Sequence, residues 1–483
     1  MHLFRVFLKP DKLRENFGKQ SFLATYRDIT NLKPVEMPDF DLDSHFLNPD
    51  RSNLEAIRKL GYAFVDAIVD SVLDTQNQPF VKDNSTFDIN ISEQGNDLWE
   101  LLEEVRSQIL PRTVNFQNPR YMGHMDSVPA AITIWADALI SAINNNMLSY
   151  ELAPVFTQME AQLMQWFGNL FGMGTDCFGT LTAGGSLANI SALLLARNWK
   201  QPQSKIFGNS NKLVAFVSDA AHTSFEKAMN VIGVGKENLV RVATNQRGEI
   251  ILDELESAIQ KIIREGKQPF FVAAIAGTTV TGAVDPIQAV AEIAKRYECW
   301  FHIDAAYGGA GIFTPKLQPL FQGCELADSL TFNPQKWLWV ARTCAMLLVK
   351  DKQHLIDGFD GELPYMDDQA LNFGNLNLQG TRRTDSLKLW MALKAMGTSG
   401  CRYLVERSLD LSNNLQQWVE TSTELELVCE PTLNIICLKS NNPKISNAAL
   451  RQQWIDEGKL WLSLPLWKGD RILKAVVLHP YAG

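Results

Sequence analysis

The chain has 483 residues, 46% of them hydrophobic, which is enough for a large core and two or three domains. Its formal net charge of −9 argues against nucleic acid or an anionic membrane surface as the main partner. No uncharged run approaches the ~20 residues that span a bilayer, and the cysteines at 177, 299, 324, 344, 401, 429 and 437 form no Cys-x-x-Cys pair, which fits a reduced, cytoplasmic chain better than a disulfide framework.

At the N-terminus Arg5 interrupts a short apolar run and no small-residue cleavage site follows, so no signal peptide is expected. Pro34, Pro38 and Pro49 break any long helix in the first fifty residues. Apolar residues at 57, 60, 61, 64, 65, 68, 69 and 72 follow the helical period and predict an amphipathic helix over 53–74. A second helix is predicted over about 97–109. From about 118 the pattern becomes an alternation of strands (178–182, 213–217, 270–275, 300–303, 329–333, 344–349) and helices (186–199, 223–232, 251–264, 286–297). Such alternation predicts an α/β fold with a mostly parallel sheet wrapped by helices. The polar, Gly- and Asp-rich segment 351–380 is expected to be a long loop. A helix over 386–396 then leads to a third region with a strand near 433–438. These shifts suggest an N-terminal segment 1–117, a large domain 118–395 and a small C-terminal α+β domain 396–483.

Candidate chemistry gathers at the predicted strand ends, where open α/β sheets place their ligands. Leu-Thr-Ala-Gly-Gly-Ser-Leu-Ala-Asn (181–189) is a small-residue turn opening a helix, where backbone N–H groups and Ser186 can hold an anion; an ordinary N-capped helix has the same pattern. His222 follows the second strand and can stack on a flat ring or cap a helix. Thr279 lies in the turn after the third strand. Asp304 ends a strand whose neighbours are apolar, so its carboxylate needs a partner, either a protonated pyridine nitrogen or a buried arginine. Ala305 and Ala306 leave room for a flat ring. Asn333 and Lys336 follow in Asn-Pro-Gln-Lys-Trp (333–337). A lysine at one strand end can hold an aldehyde as a Schiff base, and an aspartate at another can keep a pyridine nitrogen protonated. Each residue alone has a bland explanation. In this order, each at a strand end, they point to pyridoxal 5'-phosphate with no metal.

With those residues in hand, the chain resembles the group II pyridoxal-phosphate-dependent amino-acid decarboxylases from about residue 53 to 480. The resemblance is carried by Asn-Pro-Arg-Tyr-Met-Gly-His-Met (118–125), Thr-Ala-Gly-Gly-Ser-Leu-Ala-Asn (182–189), Ser-Asp-Ala-Ala-His-Thr-Ser (218–224), His-Ile-Asp-Ala-Ala-Tyr (302–307) and Asn-Pro-Gln-Lys-Trp. It implies the fold type I, aspartate aminotransferase-like architecture and decarboxylation of an L-amino acid to its amine and CO₂. It also implies a homodimer sharing its active sites, with the N-terminal helices crossing to the partner. By the same resemblance Lys336 would hold the cofactor aldehyde, Asp304 the ring nitrogen and Gly185, Ser186 and Asn333 the phosphate. His222 would stack on the ring, Thr279 and Ala306 would line its pocket, and Met125 and Ser127 would lie on the substrate side. Tyr365 fits the family's loop tyrosine, which helps protonate Cα. An aldehyde synthase, an aminotransferase or a non-catalytic paralogue would share most of these residues. Two departures stand out: Gln335 where the family usually has histidine, and Lys474 where arginine is common. Lysine offers a point charge rather than a fork.

Overall fold

The computed structural model describes residues 41–482 except 74, 81–84, 87, 88, 90, 92, 94, 210, 211, 360 and 362–369. The described residues fall into two compact units, one drawn from 41–71 and 89–110, the other from 72–86 and 111–482.

The first unit contains helices α1 (Leu54–Val72) and α2 (Leu98–Glu104). Asp97 caps α2, its Oδ1 accepting from the backbone N–H of Trp99 and Glu100 at 2.8 and 3.2 Å. The predicted helix over 97–109 changes pitch: α2 passes into a π turn, Val105–Ile109, and a 3₁₀ turn, Leu110–Arg112, where Pro111 cannot continue an α-helix. Along α1, Tyr62, Phe64, Val65, Ile68 and Val69 stay exposed.

In the second unit α3 (Ala131–Ile143) and α4 (Pro154–Leu170) precede a seven-stranded sheet. Its members are β1 (Phe178–Thr182), β2 (Leu213–Ser218), β3 (Leu239–Val242), β4 (Gln268–Ile275), β5 (Trp300–Ala305), β6 (Ser329–Phe332) and β7 (Ala345–Val349), in the order β1-β7-β6-β5-β4-β2-β3. Only β7 runs antiparallel to its neighbours, β1 and β6. The connecting helices are α5 (Gly185–Lys200), α6 (Ser224–Val231), α7 (Leu252–Arg264) and α8 (Ile287–Arg296).

Strand residues alternate between two cores. Phe216, Val272, Ile303, Leu330 and Leu348 pack with α4, α7 and α8. Val217, Phe271, Ala273, Leu347 and Val349 pack with α5 and α6. Burial on both faces explains why these strands are continuous apolar runs. The sequence pattern missed β3, whose Leu-Val-Arg-Val is short, half-buried and at the sheet edge.

The expected loop over 351–380 is only partly one. It opens with helix α9 (Lys352–Phe359) and includes a 3₁₀ turn, Phe373–Leu376. Helix α10 (Ser386–Thr421) fulfils the predicted 386–396 helix and continues well past it. It bends at Gly397 (φ 62°, ψ 175°), a backbone conformation that favours glycine. Beyond it β8 (Leu425–Leu427), β9 (Ile435–Ser440) and β10 (Leu473–Val476) form a small antiparallel sheet, with helix α11 (Asn447–Asp456) between β9 and β10 in the chain and a core of its own that includes Val419, Ile436, Leu438 and Ala475. No helix among the described residues is long and apolar enough to cross a membrane.

Candidate active site

The C-terminal ends of β1, β2, β4, β5 and β6 surround a cavity of about 470 Å³. Gly185, Ser186, His222, Thr279, Asp304, Ala306, Asn333 and Lys336 all line it, brought together from five separate loops. Ser127 stands one contact away, its Oγ donating to the carbonyl of Gln335 at 3.2 Å. Met125 is buried in the core beside that segment. Tyr365 lies outside the described residues. Among the described residues no cluster of histidine, cysteine, aspartate or glutamate is arranged to hold a metal ion.

At the β1 end the chain turns at Gly184, whose φ of 142° excludes most side chains, and enters α5. A Cβ on Gly185 would come within 2.8 Å of Asn333 Nδ2, so glycine is what allows the turn and the Asn333 amide to meet. Asn333 Oδ1 is buried and has no hydrogen-bond partner among the described residues. The donors here, an open helix N-terminus, the Ser186 hydroxyl and the Asn333 Nδ2 that faces Gly185, suit a phosphate group.

The turn is anchored from behind. Glu160 on α4 and Arg382, both buried, form an ion pair at 2.9 Å. Glu160 Oε1 accepts from the backbone N–H of Leu181, while Arg382 Nη1 and Asn377 Nδ2 both donate to the Leu181 carbonyl at 3.0 Å. Nothing in the sequence patterning singles out this clamp, because its members are far apart along the chain.

Asp304, 6% exposed, is held from two sides. Its Oδ1 accepts from the backbone N–H of Ala306 at 3.1 Å and its Oδ2 from Asn189 Nδ2 at 2.9 Å. Among the described residues no arginine is paired with it, which disfavours the alternative partner open at the level of sequence. Lys336 faces the same cavity, and burial holds its amine below the usual lysine range, partly offset by Asp304 and Asp126. His222 accepts from the backbone N–H of Ser224 at its Nδ1 (3.1 Å), so a neutral ring carries its proton on Nε2. Desolvation lowers its pKa, Asp304 opposes the shift and Lys336 adds to it.

Three groups beyond the predicted set bear on the site, one lining the cavity and two acting on Lys336 from nearby. Gln335 lines the cavity and its Oε1 accepts from the backbone N–H of Cys344 at 2.6 Å, a role that needs an acceptor and no ionisable proton. Asp126 and Arg342 form an ion pair. Lys474 on β10 is 3% exposed, and its Nζ donates to the carbonyl of Thr279 at 3.1 Å. It has no carboxylate partner among the described residues. Burial drives its pKa down to about 8; Cys437 and Asp126 oppose the shift and Lys336 adds to it.

Comparison with known proteins adds independent findings. Residues 82–441 match the family model of the pyridoxal-dependent decarboxylase conserved domain. The chain is 33% identical to human acidic amino acid decarboxylase GADL1 over 418 residues, covering 81% of this chain and 80% of that protein. The crystal structure of mouse CSAD in apo form superposes with a TM-score of 0.84 at 26% identity, covering 89% of this chain and 96% of the mouse chain. Oryza sativa TDC, solved with PLP and tryptamine, shares the fold with a TM-score of 0.84 at 22% identity, covering 90% and 95% of the two chains.

Proposed function

Because the chain belongs to the pyridoxal-dependent decarboxylase family, and is therefore a pyridoxal-phosphate-dependent amino-acid decarboxylase, we propose that it removes the α-carboxylate of an acidic L-amino acid. The observation that carries the substrate class is Lys474. A buried ammonium without a counter-ion is costly, and an anionic group of the substrate beside Thr279 would supply one. The human relative at 33% identity is named for acidic amino acids, which supports the same choice.

The residues present fit the cofactor. Gly185, Ser186 and Asn333 would hold its phosphate, Asp304 its ring nitrogen and Lys336 its aldehyde, with His222, Thr279 and Ala306 as walls of the cavity. When bound, pyridoxal phosphate supplies an electron sink for the bond to carboxylate. The protein contributes the rest. Asp304, desolvated and doubly hydrogen-bonded, keeps a proton at the ring nitrogen. Lys336, with its amine pKa lowered by burial, is more readily deprotonated than a solvated lysine and can act as nucleophile and proton carrier. Lys474 anchors a substrate carboxylate. Tyr365, by its place in the family pattern, returns a proton to Cα.

The same reading makes the enzyme a cytoplasmic homodimer. Trp135, Leu139 and Ile143 form an exposed stripe along α3, and α1 exposes a second apolar face. Both would be covered by another copy of the chain. All seven cysteines are unpaired, as a reducing compartment requires. Sedimentation of the purified protein at twice the chain mass supports the dimer; a monomer at assay concentration refutes it.

The decisive experiment is CO₂ release from aspartate, glutamate, cysteine sulfinate, 2,4-diaminobutyrate and tryptophan with products identified. Acidic substrates are expected to give CO₂ and equimolar amine. Preferential turnover of the cationic or aromatic acid would overturn the substrate class.

A further inference from the structure

Beneath the cavity a line of hydrogen bonds runs through the core without a break. Trp300, His302 and Asp304 occupy alternate positions of β5 and share one face. On β6, Ser329 lies opposite His302 and Thr331 opposite Asp304. Asn189 of α5 covers them. Trp300 Nε1 and Ser329 Oγ are 2.8 Å apart, as are Ser329 Oγ and His302 Nδ1; His302 Nε2 lies 3.2 Å from Asn189 Oδ1. Thr331 Oγ1 also donates to Asn189 Oδ1, at 2.8 Å. Asn189 Nδ2 donates to Asp304 Oδ2 and to Ser224 Oγ, at 2.9 and 3.0 Å.

The direction of every bond in this line is forced. A carboxylate only accepts, so Asn189 must turn its N–H groups toward Asp304 and its oxygen toward Thr331 and His302. His302 must then carry its proton on Nε2 to reach that oxygen. Its Nδ1 is left as an acceptor for the Ser329 hydroxyl, which itself accepts from the donor-only indole of Trp300. The line therefore starts at a group that can only donate and ends at one that can only accept. Burial keeps His302 neutral, pushing its pKa down to about 4 against the opposing charge of Asp304. Phe271 stacks on the imidazole at 5.6 Å and Phe225 meets it edge-on at 6.2 Å, so the ring cannot turn to exchange its two nitrogens without disturbing the core.

We propose that His302, acting through Asn189, is a positioning residue that fixes the Asp304 carboxyl group as an acceptor aimed at the cofactor's ring nitrogen. Flipping the Asn189 amide would set its oxygen against the carboxylate of Asp304 and its N–H groups against the Nε2–H of His302 and the hydroxyl of Thr331, so a flip loses every one of these contacts unless His302 changes tautomer as well. Asn189 has a second role through Ser224, whose backbone N–H orients His222. The inference rests on the reading that Asp304 pairs with the ring nitrogen.

The test uses the holoenzyme loaded with pyridoxal phosphate labelled with ¹⁵N in the ring. The ring-nitrogen NMR signal and the cofactor dissociation constant are measured for the parent, His302→Leu, His302→Gln and Asp304→Asn. In His302→Leu the signal is expected to move toward the unprotonated position and the cofactor to bind about tenfold more weakly, as for loss of a hydrogen bond that supports a charged group. In His302→Gln the side-chain amide N–H can replace the Nε2 donor, and both readouts should return toward the parent. A leucine variant identical to the parent, or a glutamine variant as impaired as leucine, overturns the proposal. Asp304→Asn separates the two levels. If it shifts the signal while His302→Leu does not, the pairing stands and the positioning role falls. If Asp304→Asn leaves the signal unmoved, the pairing itself fails and the positioning role with it. Should His302→Leu fail to fold by circular dichroism, Ser329→Ala takes its place: freeing Nδ1 is expected to move the signal in the same direction, and an unmoved signal overturns the proposal.

Discussion

Asn189 lines the cavity and Lys474 is buried behind Thr279, one of its lining residues, and their surroundings differ in kind. Asn189 has both N–H groups and both lone pairs of its oxygen engaged by named protein partners. Lys474 has one carbonyl to donate to and no counter-charge among the described residues. A saturated group holds shape, because any movement breaks bonds that no solvent can replace. An unsaturated buried charge costs stability in the empty protein and gains it back when an anion arrives. The floor of the site is thus built to stay fixed, and the Lys474 side is built to receive.

The most severe test removes the residue that both sides serve. Lys336→Ala should abolish turnover, and gel filtration should strip the cofactor from the variant while the parent retains it. Retained turnover would sink the assignment. Next comes the clamp behind the Gly184–Gly185 turn. Arg382→Ala leaves Glu160 buried without a partner and should cost about 3–5 kcal/mol in urea denaturation of the cofactor-free protein. A loss below 1 kcal/mol would mean that water reaches Glu160.

Lys474→Met sharpens the contrast because its two effects should have opposite signs. Turnover of the acidic substrate should fall about 10–100-fold in kcat/KM with the loss of a charge-assisted contact. The cofactor-free protein should become more stable at neutral pH. The pKa of Lys474 is about 8 in the folded chain against 10.5 for an ordinary lysine. The folded state therefore binds fewer protons between those values, and parental stability should rise by about 3 kcal/mol as pH climbs through that window. The rise should be missing from Lys474→Met. His302 gives the acidic counterpart. With a folded pKa of about 4 against 6.5, its contribution is complete above pH 6.5 and declines by about 3 kcal/mol as pH falls to 4. In His302→Gln that part of the acid sensitivity should disappear. The smallest effect is expected from Gly185→Ala, which displaces only the Asn333 amide and should weaken cofactor binding several-fold in equilibrium dialysis.

Much of the sheet was legible because its strands are buried on both faces and stand out as unbroken apolar runs. Phe178–Thr182 follows its pattern residue for residue. The elements that escaped lack such a run: β3 is interrupted by Arg241, and α9 buries only Leu355 and Gly358. The lining of the cavity was legible for another reason: turns at strand ends concentrate residue types with specific chemistry. What the sequence hid is how these residues are supported. His302 in an apolar strand, Asn189 inside a helix and Arg382 after a loop each look like ordinary structural residues, and only the fold brings Asn189 and His302 within hydrogen-bonding distance.

The reversal of β7 has a kinetic consequence. Lys336 sits on the connection of a hairpin whose legs, β6 and β7, each have a strand on both sides in the sheet. Within that connection the Gln335 N–H donates to the Cys344 carbonyl, the Cys344 N–H donates back to the Gln335 side-chain Oε1, and the N–H groups of Leu338 and Val340 both donate to the Pro334 carbonyl. Lys336 therefore has no private route of escape. Amides at 335, 338 and 340 should exchange with deuterium only when the whole sheet opens, and holding the cofactor at that tip should slow opening further. Storage lifetime and catalytic lifetime then become one quantity, both governed by the unfolding rate of the central strands.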